Sequence, residues 1–321
     1  MKDKFDRNIN YLRISVTDRC NLRCIYCMPE EGISKLLPHS EILSYEEILK
    51  IVEIGVDLGI TNIRITGGEP LLRKGIVSFI ERLAKTEGIK DIGMTTNGIL
   101  LKKFAKALYT AGLKRVNISL DSLDKDKFRT ITRVGSIDEV LEGIEEADKV
   151  GLKPIKINVV VMRGINDDEI ERFAFWSKEV EYQIRFIEFM PIGPNAWKRE
   201  LFISKDEIKE RIEKKVGRLI PVQVKKSGPA EYFMLEGAKG LLGFISPLTT
   251  HICVRCNRLR LTAEGKLRPC LFSDKELDLK KLLRSKASRE QIRDMILRTI
   301  HLKPQGMSDS QPLRPMSTIG G

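Results

Sequence analysis

Leu12-Arg13-Ile14-Ser15-Val16-Thr17-Asp18-Arg19-Cys20-Asn21-Leu22-Arg23-Cys24-Ile25-Tyr26-Cys27 runs from a short apolar, β-branched segment into three cysteines spaced CxxxCxxC. The segment 12–16 reads as a buried strand, and the cysteines occupy the loop at its carboxyl end. A second trio, Cys253, Cys256 and Cys270, accounts for every remaining cysteine. Three thiolates fill three corners of a 4Fe-4S cube, so each trio is a candidate ligand set that leaves one iron for a non-cysteine ligand.

For the first trio, zinc lacks a fourth ligand, because no histidine lies near Cys20. Disulfides need an oxidising compartment. The start Met1-Lys2-Asp3-Lys4-Phe5-Asp6-Arg7 has no apolar stretch of a secretory signal, so a cytoplasmic chain is expected. At the second trio zinc stays open, since His251 could join the three cysteines in a tetrahedral site.

Outward from the cysteine loop, strand patterns at 12–16, 62–66, 91–95, 115–119, 155–161 and 183–189 alternate with helical ones. The helical patterns cover 45–58, behind a Ser44 cap, then 76–85, 101–111, 137–150 and 167–180, several ended by glycine. This alternation predicts a parallel sheet with right-handed crossovers, doubly wound or curled into a barrel. Six βα units are two short of a complete (β/α)8 barrel, so the expected α/β fold is a partial (β/α)6 barrel, an incomplete TIM barrel. After Pro221 the pattern changes to short strands at 222–224, 231–235 and 241–245. The expected division is therefore 1–221 for the core and 222–321 for a C-terminal cluster region.

With 321 residues and 42% hydrophobic content the chain can bury a sizeable core. No apolar run is long enough for a membrane span. The formal charge of +12 points to an anionic partner without choosing among nucleotide, nucleic acid and membrane surface.

The informative polar residues follow predicted strands, where ligands bind in parallel α/β folds. Gly67-Gly68-Glu69-Pro70, after the second strand, is by itself a tight turn and matches neither a Walker nor a GxGxxG fingerprint. Thr95, Thr96 and Asn97 have a plain reading as an N-cap and turn, and Ser119 and Asp121 as caps of the next segment. Met190 would be a core filler. Arg13, Arg64, Lys156 and Arg185 interrupt apolar strands, where a cation is costly unless an anion neutralises it. A triphosphate would do so, and guanidinium groups grip phosphate oxygens bidentately.

CxxxCxxC with an aromatic, Tyr26, before its last cysteine resembles the cluster motif of radical S-adenosylmethionine (radical SAM) enzymes, and Gly67-Gly68-Glu69-Pro70 resembles that superfamily's methionine-binding element. At finer grain, Cys253-x-x-Cys256-Asn257-Arg258-x-Arg260-Leu261-Thr262 with Cys270 downstream resembles the GTP 3',8-cyclase family (MoaA-type, molybdenum cofactor biosynthesis protein A). That resemblance runs from Leu12 to the closing Gly320-Gly321.

The resemblance implies a lyase using S-adenosylmethionine and two 4Fe-4S clusters, on Cys20, Cys24, Cys27 and on Cys253, Cys256, Cys270. A 5'-deoxyadenosyl radical would take H3' from GTP, and C3' would close onto C8, giving (8S)-3',8-cyclo-7,8-dihydroguanosine 5'-triphosphate, the first step of molybdopterin synthesis. Implied cofactor contacts are Tyr26, Gly67, Gly68, Glu69, Asn97, Ser119 and Met190. Implied substrate contacts are Arg13, Arg64, Thr95, Lys156, Arg185, Arg258, Leu259 and Arg260. The second cluster's open iron would bind the guanine, and no histidine needs an acid-base role. Composition makes the tail from Lys303 a mobile end, whereas the resemblance brings Gly320 and Gly321 back into the cavity. An external electron donor and a downstream cyclic pyranopterin monophosphate synthase are also implied, with monomer and homodimer both open.

Two other classes compete. A peptide-modifying radical SAM maturase would be expected to have more C-terminal cysteines. A zinc-stabilised RNA-binding module would need aromatics interleaved with basic residues, yet aromatics are only 6% of the chain, and neither nucleic acid nor membrane is expected as a partner.

Overall fold

The computed structural model describes all residues except 34–35, 194–196, 225–227, 251, 308–313 and 321. Six parallel strands carry the predicted alternation: β1 (Tyr11–Ser15), β2 (Asn62–Thr66), β3 (Asp91–Thr96), β4 (Arg115–Ser119), β5 (Lys156–Val161) and β6 (Gln183–Glu188). The helices between them are α1 (Tyr45–Asp57), α2 (Ile76–Ala84), α3 (Leu101–Thr110), α4 (Lys125–Thr132), α5 (Ile137–Lys149) and α6 (Ile170–Glu179). Ser44 starts α1 through a reciprocal capping box with Glu47. Helix α4, capped by Asp124, had no counterpart in the sequence reading, because only Phe128, Ile131 and Thr132 of its eight mostly polar residues are buried.

Beyond them lie α7 (Lys205–Lys215), β7 (Leu219–Val222), β8 (Glu231–Leu235), β9 (Leu241–Ile245), β10 (Arg258–Leu261), β11 (Lys266–Arg268) and β12 (Leu277–Asp278), then α8 (Leu279–Arg284), α9 (Arg289–His301) and α10 (Met316–Ile319). The strand expected at 222–224 ends two residues earlier, in a hairpin with β8. These late strands do not make a separate sheet. They extend the barrel sheet at both edges, in the order β12-β11-β10-β1-β2-β3-β4-β5-β6-β9-β8-β7. An open six-stranded sheet presents two rows of unpaired backbone groups. Strands β10 and β9 satisfy them by pairing in parallel with β1 and β6. The result is a partial (β/α)6 barrel with an unclosed sheet.

One face of the core strands is apolar: Ile14, Ile63, Ile65, Ile92, Met94, Val116, Ile118, Ile157, Ile184 and Phe186 are buried in one cluster with the helices. Alternation then sends Arg13, Arg64, Lys156 and Arg185 to the opposite face, which holds the cavity.

Candidate active site

Cys20, Cys24 and Cys27 are half-buried free thiols on the loop after β1. A turn joins the last two, with the Cys27 and Met28 N–H groups donating to the Cys24 carbonyl at 2.9 and 3.1 Å. Gly67 and Gly68 strap this loop to the end of β2. The Gly68 and Glu69 N–H groups donate to the Thr17 and Arg19 carbonyls, both at 2.7 Å. A Cβ on Gly68 would stand 2.3 Å from the Arg19 carbonyl oxygen, so the approach requires glycine.

Glu69 is fully buried, and its carboxylate accepts from the Leu71 N–H (3.0 Å), the Thr96 hydroxyl (2.9 Å) and the Asn97 N–H (2.8 Å). Burial raises this carboxyl to about 7 against those bonds. Thr96 and Asn97 close the local turn as expected, through Gly98 and Ile99, but they do not cap α3, whose N-cap is Leu100. The Asn97 amide donates to Asn21 Oδ1 at 2.8 Å and toward Cys20 Sγ at 3.8 Å. Nor is Asp121 a cap: it accepts the Tyr26 hydroxyl at 2.7 Å and the Val160 N–H at 2.8 Å, binding the cysteine loop to β5. Burial, then the charges of Asp121 and the neighbouring cysteines, push the Cys24 thiol well above its ordinary value. Burial and Cys20 push Cys27 up to about 12.

The cavity on the inner face holds about 360 Å³ and is lined by Arg13, Arg64, Arg115, Lys156, Arg185, Arg258 and Arg260, with no carboxylate among the described lining residues. Register makes this crowding explicit: Arg13 lies directly opposite Arg64 on one side and Arg260 on the other. Like charges placed so are mutually destabilising. Space for them comes from glycines in neighbouring strands. A Cβ on Gly93 would lie 2.6 Å from the Arg64 guanidinium, and one on Gly243 2.9 Å from Arg185 Cγ.

Burial, then Arg185, Arg115 and Arg64, bring the Lys156 ammonium down to about 6. Burial opposes ionisation of Tyr11, yet Arg64, Arg13 and Arg115 lower its phenol to about 8, and its oxygen accepts from Arg64 Nε at 2.9 Å. Thr95 Oγ1, Asn117 Oδ1 and Arg185 Nε are buried with no partner among the described residues. Each such group costs roughly 1–3 kcal/mol until a ligand satisfies it.

Thr95 and Met190 line this cavity, whereas Ser119 is half-buried at the end of β4 and outside the lining. Leu259 faces the other way: its side chain is in the apolar core, leaving only its backbone toward a ligand. The sequence reading missed Tyr11, Arg115, Asn117 and Asn158. Its available signal was the two-residue spacing of Arg115 with Asn117 and of Lys156 with Asn158, which puts each pair on one strand face.

Cys253 sits on a helical turn before β10 and Cys256 directly follows it, Cys270 follows β11, and the antiparallel β10–β11 pairing brings them together at the cavity wall. His251 lies outside the described residues. Burial would raise the Cys256 thiol, but Arg258 and Lys303 lower it to about 6. The tail is docked rather than loose where it is described. Arg314 pairs with Glu276 at 3.0 Å and with Glu264. Met316 lines the cavity, buried Ser317 lies beside Cys27, and the Gly320 carbonyl accepts from Arg260. Gly321 lies outside the described residues. Helix α10 thus touches both cysteine regions.

Residues 14–176 match the Radical SAM superfamily model and residues 182–309 the Molybdenum Cofactor Synthesis C model. The chain is 82% identical to the GTP 3',8-cyclase of Thermodesulfovibrio yellowstonii over 322 residues, covering 100% of both chains. It is 51% identical to the GTP 3',8-cyclase of Alkaliphilus oremlandii over 327 residues, again covering 100% of each. The chain belongs to the GTP 3',8-cyclase family. Its fold also resembles crystal structures of Streptococcus suis SuiB. The TM-score is 0.64 at 15% identity, over 91% of this chain and 69% of that one, and 0.62 for the S-adenosylmethionine-bound form, over 89% and 68%.

As a radical SAM family, the GTP 3',8-cyclases use S-adenosylmethionine and 4Fe-4S clusters. Among the described residues no three His, Cys, Asp or Glu side chains converge closely enough for a single metal ion. A cube holds its thiolates farther apart than one ion does, and the two trios suit it: each is free of disulfides, and within each the thiols feel one another's charge.

Proposed function

We propose that this chain converts GTP to (8S)-3',8-cyclo-7,8-dihydroguanosine 5'-triphosphate, the first step of molybdenum cofactor biosynthesis. The observation that carries the reading is the acid-free cavity walled by the Arg260–Arg13–Arg64 row and by the second cysteine trio. Cys20, Cys24 and Cys27 would hold one 4Fe-4S cluster, and Cys253, Cys256 and Cys270 the other. Once bound, the first cluster and S-adenosylmethionine supply a 5'-deoxyadenosyl radical able to take H3' of GTP.

The protein's part is placement and exclusion of water. Gly67 and Gly68 hold the cysteine loop against β2, and Tyr26, Glu69, Asn97, Ser119 and Met190 are assigned to S-adenosylmethionine. Arg13, Arg64, Lys156 and Arg185 are assigned to the triphosphate, relieving their mutual repulsion. Thr95, Arg258, the Leu259 backbone and Arg260 orient the nucleoside toward the second trio, with Gly320 held against Arg260 at the cavity.

The same reading divides the chain into a radical-generating part, 1–221, and a substrate-orienting part, 222–321. It calls for an external electron donor and for a cyclic pyranopterin monophosphate synthase to consume the product. Among the described residues no helix is long and apolar enough to cross a membrane, and a cytoplasmic location is part of the proposal.

The test is an anaerobic reaction of the iron-reconstituted protein with S-adenosylmethionine and dithionite, with and without GTP, followed by mass spectrometry. GTP-stimulated 5'-deoxyadenosine together with a product isomeric to GTP is expected. Cleavage indifferent to GTP, with no cyclised nucleotide, would overturn the substrate.

A further inference from the structure

Lys303, two residues beyond α9, is 1% exposed. Its ammonium meets no carboxylate among the described residues. It donates to the carbonyls of Arg258 and Pro269, each at 2.8 Å, and to Cys256 Sγ at 3.7 Å. Arg258 lies two residues after Cys256, and Pro269 immediately precedes Cys270. One buried cation therefore ties together the two loops that carry the second trio, using all three of its donors.

Lys303 is absent from the cavity wall, so it acts from behind the cysteines while Arg258 faces the cavity. The backbone that carries it is itself pinned. The Arg7 guanidinium donates to the Pro304 carbonyl at 2.7 Å and to that of Cys253 at 2.8 Å. Asp3, 2.6 Å from Arg7, neutralises that guanidinium. No such acid serves Lys303, and a buried ammonium without a counter-charge is costly. Among the described residues, the groups near it able to carry negative charge are the Cys256 and Cys270 sulfurs, and its hydrogen bond goes to Cys256.

We propose that Lys303 is a positioning residue for the second iron-sulfur cluster. It fixes the Cys256 and Cys270 loops for ligation and sets its ammonium against a ligand sulfur, making that cluster easier to reduce. A nearby cation and a hydrogen bond to a ligand sulfur both favour the more negative, reduced cluster. The inference rests on the reading that this trio holds a cluster.

The test uses the full chain with Cys20, Cys24 and Cys27 changed to alanine, so that only the second trio can bind iron. Iron, sulfide and zinc are measured, and the reduction potential is followed by paramagnetic resonance. Lys303→Met should shift the potential to more negative values, and Lys303→Arg should hold it near that of the parent. A Lys303→Met protein with full iron and an unmoved potential would overturn the proposal. Should Lys303→Met assemble no cluster, iron retained by Lys303→Arg supports the charged tie, and iron lost from both overturns it. A parent protein carrying zinc or no iron would overturn the cluster reading itself, an outcome separate from any role of Lys303.

Discussion

The two cysteine trios have the same number of thiols and opposite electrical surroundings. Around Cys20, Cys24 and Cys27 lie the buried carboxyls of Glu69 and Asp121, and burial first, then negative neighbours, push all three thiols upward. Around Cys253, Cys256 and Cys270 lie Arg7, Arg258 and Lys303; burial still raises Cys253, but Arg258 and Lys303 overcome it at Cys256 and bring that thiol down to about 6. Negative neighbours make a cluster a stronger reductant, while positive neighbours make it a better host for an anion. The contrast suits a division of labour in which the first cluster releases an electron and the second orients the nucleoside of an anionic substrate.

The largest effect should come from removing one thiol of each trio. Cys24→Ala is expected to abolish 5'-deoxyadenosine formation. Cys256→Ala should leave S-adenosylmethionine cleavage measurable while cyclised nucleotide disappears. Equal loss of both products in both variants would break the division of labour.

Arg260→Ala deletes a cation from the row of three and the donor that holds the Gly320 carbonyl. Loss of such a charged bond costs about 1.5–3 kcal/mol, so GTP affinity should fall roughly 10- to 100-fold with iron content unchanged. Binding of nucleotide to the reconstituted protein, measured alongside iron, separates this outcome from a structural role.

Lys156 sharpens the cationic side through pH. In the free protein its ammonium is held down to about 6, so above that pH it is largely neutral. A bound triphosphate raises it, and between the free and bound values binding takes up a proton. GTP affinity should therefore rise as pH falls from 8 toward 6, by at most about tenfold per pH unit. Titration calorimetry in buffers of different ionisation enthalpy reads that proton directly, and Lys156→Met should remove its contribution.

Thr95→Val should have the smallest effect, and one of mixed sign. Deleting a buried hydroxyl with no partner among the described residues should leave thermal stability unchanged or raise it by about 1 kcal/mol. GTP binding should weaken about 2- to 5-fold if the nucleotide supplies that partner. A loss of stability instead would place the hydroxyl in the fold rather than the site.

The parallel strands were legible because each is a short apolar run bounded by turn residues, and all but β1 begin or end at the residue expected. The cysteine spacings were legible for the same reason: ligands on one loop are close in sequence. Helix α4 was not, since most of its side chains face water and leave little apolar period. Strands β10 and β11 also escaped, because Arg258-Leu259-Arg260-Leu261 has too little β-branched character to stand out locally. Its strand conformation is secured by the open edge of β1. The tail from Lys303 read as mobile on composition, yet Lys303 is buried beneath the second trio and Arg314 is held by two glutamates.

Periodicity and motif spacing are properties of neighbours along the chain, and the amino-acid order was enough to establish the βα alternation, the two sets of thiols and the resemblance to the cyclases. Pairing between strands far apart in the chain is different, because backbone hydrogen bonds are alike at every register and the choice is made by the packing of whole faces. Only the folded sheet could therefore set Arg13 between Arg64 and Arg260, turn Leu259 away from the cavity, and bring Lys303 beneath Cys256.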